Sequence, residues 1–289
     1  MNYLLHIVII LDIYIILSYS MNTLAGYSGL LSLCQAAFFG ISAYTTALIM
    51  TQHYLPFLFA VLAAIIINLF FSLPIIWFSI KLRDLYFVLA TLSWQVIISA
   101  VLYNFTFITN GPYGISGIPR PRIFGIVFNT LESFAILGFI FTSVITIFYY
   151  FFQKTPLLRI LEGVRDDQLA IISFGKKPGY YKTISLLIAS GVAAIAGSLY
   201  AVYFSYIDPT SFTINESILI ASIILIGGLG SIKGSIAGAI TYVLLPEILR
   251  FINIPDAIAA NLRMMIYALI LIMIIMFRPQ GLFGKYRFQ

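Results

Sequence analysis

"IYIILSYSMNTLAGYSGLLSLCQAAFFGISAYTTALIM", residues 13–50, contains no Asp, Glu, Lys or Arg, and the charge-free run continues to Ile80. A helix rises 1.5 Å per residue, so about 20 apolar residues cross a bilayer. This run is long enough for more than one crossing. The whole chain of 289 residues agrees: 61% is hydrophobic and 9% is charged. Soluble domains carry roughly 25% charged residues. The composition excludes a soluble fold and implies an integral membrane protein with one transmembrane domain over residues 1–289.

Outward from that stretch, apolar segments recur at roughly 3–21, 24–50, 57–80, 85–104, 133–152, 183–206, 217–232, 234–251 and 261–277. The expected fold is all-α, a polytopic membrane bundle of about 8–10 transmembrane helices with some broken or re-entrant segments. Residues 22–50 are too long for one plain crossing and rich in Gly and Ser, and the pair 217–232 and 234–251 is short and Gly-interrupted. Both are candidates for broken helices. The N-terminal apolar run has no basic leader and no small-residue cleavage site, and is read as a retained first helix. The single Cys34 offers neither a disulfide nor a metal cluster.

Lys and Arg orient the segments. Placing 81–84, 153–182, 233 and 278–289 on one side collects 12 of the 16 basic residues there and leaves Arg120, Arg122, Arg250 and Arg263 on the other. The first set is cytoplasmic by the positive-inside rule, which also explains the net charge of +6 without nucleic acid. Counting back from Lys81 puts the N-terminus outside. Ala189, Ala193, Gly197 and Ala201 repeat every four residues, a spacing that lets helix backbones approach closely in lipid. Gly230, Gly234 and Gly238 share it, with Lys233 among them. "GYSGLLS" from Gly26 and "GGLGSIKGS" from Gly227 hint at an internal repeat.

The chain lacks the G-x-x-x-x-G-K-[ST] phosphate loop, a metal-spaced cluster and a G-x-S-x-G elbow. It therefore has no visible catalytic residues, no metal site and no means of its own to split a nucleotide. If it pumps, the energy comes from another subunit or an ion gradient. Asp12 is the one ionisable residue expected deep in a span. Glu132, Asp208, Glu216, Glu247 and Asp256 fall near expected helix ends. Asp12 reads equally as a helix–helix contact and as a coupling site.

One polar segment, "EGVRDDQLAIISFGKKPGYYK" at 162–182, interrupts the oil. A helix of about ten residues is expected to start near Arg165, with Asp166 and Asp167 in its first turn. Its body is Gln168, Leu169, Ala170, Ile171, Ile172 and Phe174, and Gly175 takes the C′ position before Lys176 and Lys177. Such a stub either lies on the membrane face or docks its apolar body in a cleft on a soluble partner.

The sequence resembles the permease subunits of Liv-type, high-affinity branched-chain amino acid ABC transporters, from about Asn22 to Gly284. "NTLAGYSGLLSLCQAAFFGISAY", "LRDLYFVLATL", "TNGPYGISGIPRP", "RDDQLAIISFGKKPGYYK", "ASGVAAIAGSLYAVY", "ILIGGLGSIKGSIAGA" and "FRPQGLFG" carry it, in family order. The Gly-Ile-Ser-Gly-Ile motif is similar to that of the M-type subunit. The resemblance implies that loop 153–182 is a coupling loop docking on an ATPase, with Ala170 and Gly175 matching the family pattern. Gln168 stands where an acidic residue is common and Ile171 where a second Ala is common.

The resemblance also implies a second related permease, a cytoplasmic ATPase pair that uses the ATP, an extracytoplasmic binding protein and a place in the plasma or inner membrane. No cofactor is expected on this chain. The cargo implied is a branched-chain or other small amino acid, with urea and amides also open. Asn22, Gly26, Ser28 and Gly29 are candidates for exposing backbone along a translocation pathway, or for close helix packing. Gly111, Gly114, Ser116 and Gly117 belong to the outer gate or the surface facing the binding protein, or form a plain turn. The competing readings are an ion-coupled secondary transporter or channel acting alone, and an oily subunit of a redox complex.

Overall fold

The computed structural model describes residues 2–82, 84–123 and 125–250, with part of 262–284. Helix α1 (Asn2–Met21) continues into a π-helical turn, Asn22–Tyr27. After a non-helical break at 29–34 come α2 (Gln35–Gln52), α3 (Phe57–Lys81) and α4 (Asp84–Asn104). A connecting region holds the single turn α5 (Thr106–Thr109), β1 (Ile115–Ser116), β2 (Arg122–Ile123) and β3 (Ile126–Val127). Then follow α6 (Leu131–Phe152), α7 (Pro156–Asp166), α8 (Gln168–Ser173), α9 (Pro178–Phe204), β4 (Tyr206–Ile207), α10 (Ile214–Gly227) and α11 (Ile232–Arg250). The chain is an all-α polytopic membrane bundle. Among the described residues, five helices are long and apolar enough to cross a membrane, namely α1 with its π turn, α3, α4, α6 and α9.

Local chemistry sets the boundaries. Pro56 caps the start of α3, Thr130 and Ser133 form a reciprocal capping box on α6, and Pro178 opens α9 at a position that needs no amide hydrogen. Helix α9 lies at the centre, against α1, α2 and α3. Ala189, Ala193 and Ala201 are fully buried on it. A Cβ on Gly197 would lie 3.1 Å from the amide of Ala43, so that glycine admits the α2 backbone.

The long segment 24–50 is not one span. Residues 22–27 finish the first helix, and α2 begins anew inside the bundle, where Gln35 Nε2 donates to Ser20 Oγ at 3.1 Å and Ser20 Oγ donates to the Ala189 carbonyl at 2.7 Å. The second irregular pair likewise breaks at a turn, with Gly228 and Gly230 at φ 112° and 74°. Helix α10 has 14 residues, about 21 Å by helix rise, too short to cross. Ten of the 17 residues of the expected span 261–277 are described and all ten are helical, whereas Asp256, Arg263 and Arg278 lie outside the described residues.

Helix α1 ends at the side of the polar segment 153–182, where Gln153 Nε2 donates to the Tyr27 hydroxyl at 2.8 Å. It starts at the opposite side, where His6 bonds Tyr203 and the Arg120 guanidinium donates to the Tyr203 carbonyl at 3.0 Å. The start of α1 therefore lies across the bundle from the polar segment 153–182. On that outer side β1 pairs antiparallel with β4, and β2 with β3.

Candidate functional site

The polar segment folds as two helices, not one starting at Arg165. Asp166 is the last residue of α7. Asp167 is extended at φ −154°, and its carboxylate accepts the amides of Leu169 at 2.8 Å and Ala170 at 3.2 Å. That cap ends one helix and starts the next, which has 6 residues where about ten were expected. Gly175 takes the expected left-handed conformation at φ 71°. Its amide donates to the Ile172 carbonyl at 2.9 Å, and the Lys176 amide to the Ile171 carbonyl at 3.2 Å.

Helix α7 buries Leu158, Leu161 and Val164 on one face, whereas α8 buries nothing. Leu169, Ile172 and Phe174 are 69%, 51% and 77% exposed. Ile171 folds back: its Cδ1 lies 2.7 Å from where a Cβ on Gly163 would stand. The result is an apolar knob on a short polar hairpin.

Arg165 ties the knob to the bundle. Its Nη1 donates to the Gly26 carbonyl at 2.6 Å and its Nε to Asp166 Oδ1 at 2.9 Å. Gly26 in turn sits in a junction where the two Gly/Ser segments meet. Asn22 Oδ1 accepts the Gly230 amide at 2.9 Å, and its Nδ2 donates to the Ser231 carbonyl at 3.1 Å and to Ser235 Oγ at 2.9 Å. A Cβ on Gly26 would stand 2.6 Å from the Gly230 nitrogen. The tail closes the same junction: the Leu282 and Phe283 amides donate to the Ile226 and Gly227 carbonyls at 3.0 and 2.8 Å. Ser28 Oγ is buried against the Leu24 carbonyl and Ser185 Oγ, and Gly29 flanks the Arg165 stem.

The other candidate set is far away, on the outer side. Gly111, Gly114 and Gly117 all have positive φ, and Ser116 pairs with Tyr206 in the β1–β4 ladder. Nearby Asp208 loses hydration on burial, but hydrogen bonds from Ser211 and Thr210 outweigh this and hold its carboxyl below the usual carboxylate range. The structure thus joins Asn22, Gly26, Ser28 and Gly29 to the α7–α8 hairpin and leaves Gly111 to Gly117 apart.

Two interior features escaped the sequence reading. Gln95 Oε1 accepts the Ala37 amide at 2.6 Å and the Ser217 hydroxyl at 3.1 Å, and Ser217 Oγ accepts the Ala36 amide at 2.9 Å. These side chains cap the start of α2 within the bundle. A lone Gln in an apolar span was the available signal. Glu216, read as near a helix end, does stand in the first turn of α10, but that turn is itself inside the bundle, and the Tyr14 hydroxyl donates to Glu216 Oε1 at 2.8 Å. Asp12 is 5% exposed, against Gly138, and among the described residues its Oδ2 has no hydrogen-bond partner.

Residues 3–275 match the family described as branched-chain amino acid transport system / permease component. The chain belongs to this family. It is 31% identical over 306 residues to the high-affinity branched-chain amino acid transport system permease protein LivM of Escherichia coli (strain K12), covering 96% of this chain and 69% of that one. It is 27% identical over 239 residues to the probable branched-chain amino acid transport permease protein LivM of Methanocaldococcus jannaschii, covering 79% and 67%. A tyrosine transport system permease protein of Clostridioides difficile is 34% identical over 82 residues, 28% of each chain. No solved structure matches. The permease is a multi-pass protein of the cell membrane, and its family is one of transport components, not enzymes.

Proposed function

We propose that the permease forms the translocation pathway of an ATP-driven importer together with a second, related permease subunit. A cytoplasmic ATPase pair binds and hydrolyses the ATP, and an extracytoplasmic binding protein delivers the cargo. This chain binds no cofactor of its own. The cargo class is a branched-chain or other small amino acid, in keeping with relatives whose names specify branched-chain amino acids.

One observation carries the reading. Leu169, Ile172 and Phe174 project from a cytoplasmic hairpin that Arg165 bonds directly to Gly26. Apolar side chains held in water are relieved by a partner surface, and a helical knob fits a groove on a soluble subunit. Residues Arg165 to Gly175 are the ATPase-coupling element, and a push on it reaches Asn22, Gly26, Ser28 and Gly29 at the inner end of the pathway. Gly111, Gly114, Ser116 and Gly117 form part of the outer surface that receives the binding protein.

The test is Ala170→Arg, which sets a large charge within the knob. The variant inserts in the membrane normally, loses copurification with the ATPase and loses ATP-dependent uptake. Copurification at wild-type stoichiometry overturns the assignment of the knob. Uptake that survives loss of the ATPase catalytic base but stops when the proton gradient collapses would favour an ion-coupled transporter instead, with Asp12 as the group to examine.

A further inference from the structure

Where α6 gives way to α7, a cavity of about 300 Å³ opens on the side of the molecule that carries most of the basic residues. Tyr150, Gln153 and Lys154 line it from the end of α6 and the turn after it. Leu158, Arg159 and Glu162 line it from α7, and Gly230 from the turn ahead of α11. Leu158 is buried. Gly230 contributes backbone alone, and its amide is already given to Asn22. Gln153 gives its Nε2 to the Tyr27 hydroxyl.

The charge of the lining is two cations against one carboxylate. Lys154 and Arg159 are exposed, Glu162 is half-buried, and among the described residues no ion pair joins Arg159 to Glu162. Lys154 Nζ donates to the Tyr150 hydroxyl at 3.1 Å and stands 4.1 Å from the centre of that ring. This fixes the ammonium beside the cavity and uses one of its three hydrogens. Thr155 is placed to cap α7, but its hydroxyl donates to the Phe152 carbonyl at 2.7 Å, so no side chain of that residue meets the first amides of the helix. Two cations beside an uncapped helix start favour an anion.

An apolar lane leads away from this seat. Ile140, Val144, Ile147 and Phe151 are exposed on α6 at spacings of four, three and four, which aligns them along one face. The lane runs about 16 Å by helix rise, about half the hydrocarbon core of a bilayer. A seat for an anion at the end of such a lane has the shape of a phospholipid in the inner leaflet.

We propose that this cavity seats the headgroup of phosphatidylglycerol, with the phosphate between Lys154 and Arg159 and the acyl chains along the α6 lane. The glycerol hydroxyls of the headgroup donate to the Glu162 carboxylate, and the single negative charge of the lipid matches the excess cation of the lining. The inference rests on the orientation set by the basic residues and stands apart from the importer reading. Free phosphate offers the same anion without acyl chains, so the test separates the two sources.

The full chain, with the subunits that copurify with it, is placed in phosphatidylcholine vesicles holding a small fraction of phosphatidylglycerol with a photoactivatable acyl chain. Crosslinks on α6 are read by mass spectrometry. Crosslinks near Trp77 and Lys81, where another cation lies 4.1 Å from a ring centre, report insertion and general contact with lipid. The expected result is that unlabelled phosphatidylglycerol competes on α6 about tenfold better than phosphatidylcholine. Lys154→Gln with Arg159→Gln removes that preference and leaves the crosslinks near Trp77 unchanged. Phosphatidylmethanol, anionic but without hydroxyls, competes about threefold less well than phosphatidylglycerol, and Glu162→Gln abolishes this difference. Unchanged labelling of α6 in the double variant overturns the seat. Equal competition by phosphatidylethanolamine overturns the anionic assignment, and competition by millimolar inorganic phosphate overturns the lipid in favour of a soluble ion. If phosphatidylmethanol matches phosphatidylglycerol on the unmodified chain, the role of Glu162 falls. If the double variant loses its copurifying subunits and the unmodified complex shows no crosslink on α6, Lys154 and Arg159 are contacts to protein and the proposal falls.

Discussion

The Gly/Ser junction and the cytoplasmic knob depart from their surroundings in opposite senses. The junction is polar within an apolar bundle, and the knob is apolar in a polar setting. At the junction the Asn22 amide uses its oxygen and its nitrogen on Gly230, Ser231 and Ser235, all within the chain. At the knob Leu169, Ile172 and Phe174 stand uncovered. An unpaired polar group in hydrocarbon costs several kcal/mol, so the junction must close on itself. Apolar area in water costs about 25 cal/mol per Å² and is relieved by covering it. The first region therefore stabilises this chain, and under the coupling role proposed above the second serves an assembly. Mutations should separate the two.

The largest effect is expected at the junction. A Cβ on Gly227 would lie 2.8 Å from the Gly238 nitrogen and 2.9 Å from the Gly234 carbonyl carbon, both backbone atoms of α11. Gly227→Leu forces α10 and α11 apart and should cost about 3 kcal/mol, read as a large loss of thermal stability in detergent. A wild-type melt would show that the helices are not in backbone contact there. The knob comes next. Leu169→Ala with Phe174→Ala leaves the melt of the chain unchanged, since neither side chain packs on it, but weakens ATPase binding by about 2 kcal/mol, roughly 30-fold. A shift in the melt with no change in ATPase binding would reverse the roles assigned to the two regions.

Between them lies Arg165. Its bond to the Gly26 carbonyl is short and charge-assisted, and the side chain is largely shielded. Arg165→Gln should cost about 2 kcal/mol of stability. It should also lower uptake per ATP hydrolysed severalfold while the ATPase still binds, because the knob remains but its tie is cut. Titrating ATPase affinity and uptake in the same vesicles checks this. Equal losses in both would mean that Arg165 shapes the knob and transmits nothing.

Much of this was legible in the sequence, and the limits have physical reasons. The spans 57–80, 85–104 and 133–152 match α3, α4 and α6 closely, because runs of apolar side chains without breaks have one solution in lipid. Gly175 was readable as a helix end because a left-handed residue there favours glycine. The break at 29–34 was readable only as an excess of length and glycine, since its exact place depends on Gln95 and Ser217, far off in the chain, capping α2. That Asn22 and Gly230 touch follows from tertiary packing, which a short repeat could hint at and not establish. Glu216 does stand at a helix end, as its place in the sequence indicates; that this end packs against Tyr14 depends on tertiary contacts the sequence does not show.

The smallest effect tests how the knob is kept in shape. Helix α8 has 6 residues, too few to be stable by its own hydrogen bonds. Asp167 supplies two acceptor contacts at its start, to the Leu169 and Ala170 amides, and Gly175 closes its end. Asp167→Ala removes the cap and should cost about 1 kcal/mol of local order. The ATPase then has to reorder the hairpin on binding, so its affinity falls about fivefold, while Asp167→Asn, which keeps a side-chain acceptor, changes it less than twofold. Hydrogen exchange at the Leu169 and Ala170 amides should rise in the alanine variant and not in the asparagine one. If both variants bind the ATPase as tightly as wild type although exchange has risen in the first, the knob takes its shape from the partner, and the contrast with the self-sufficient junction becomes sharper still.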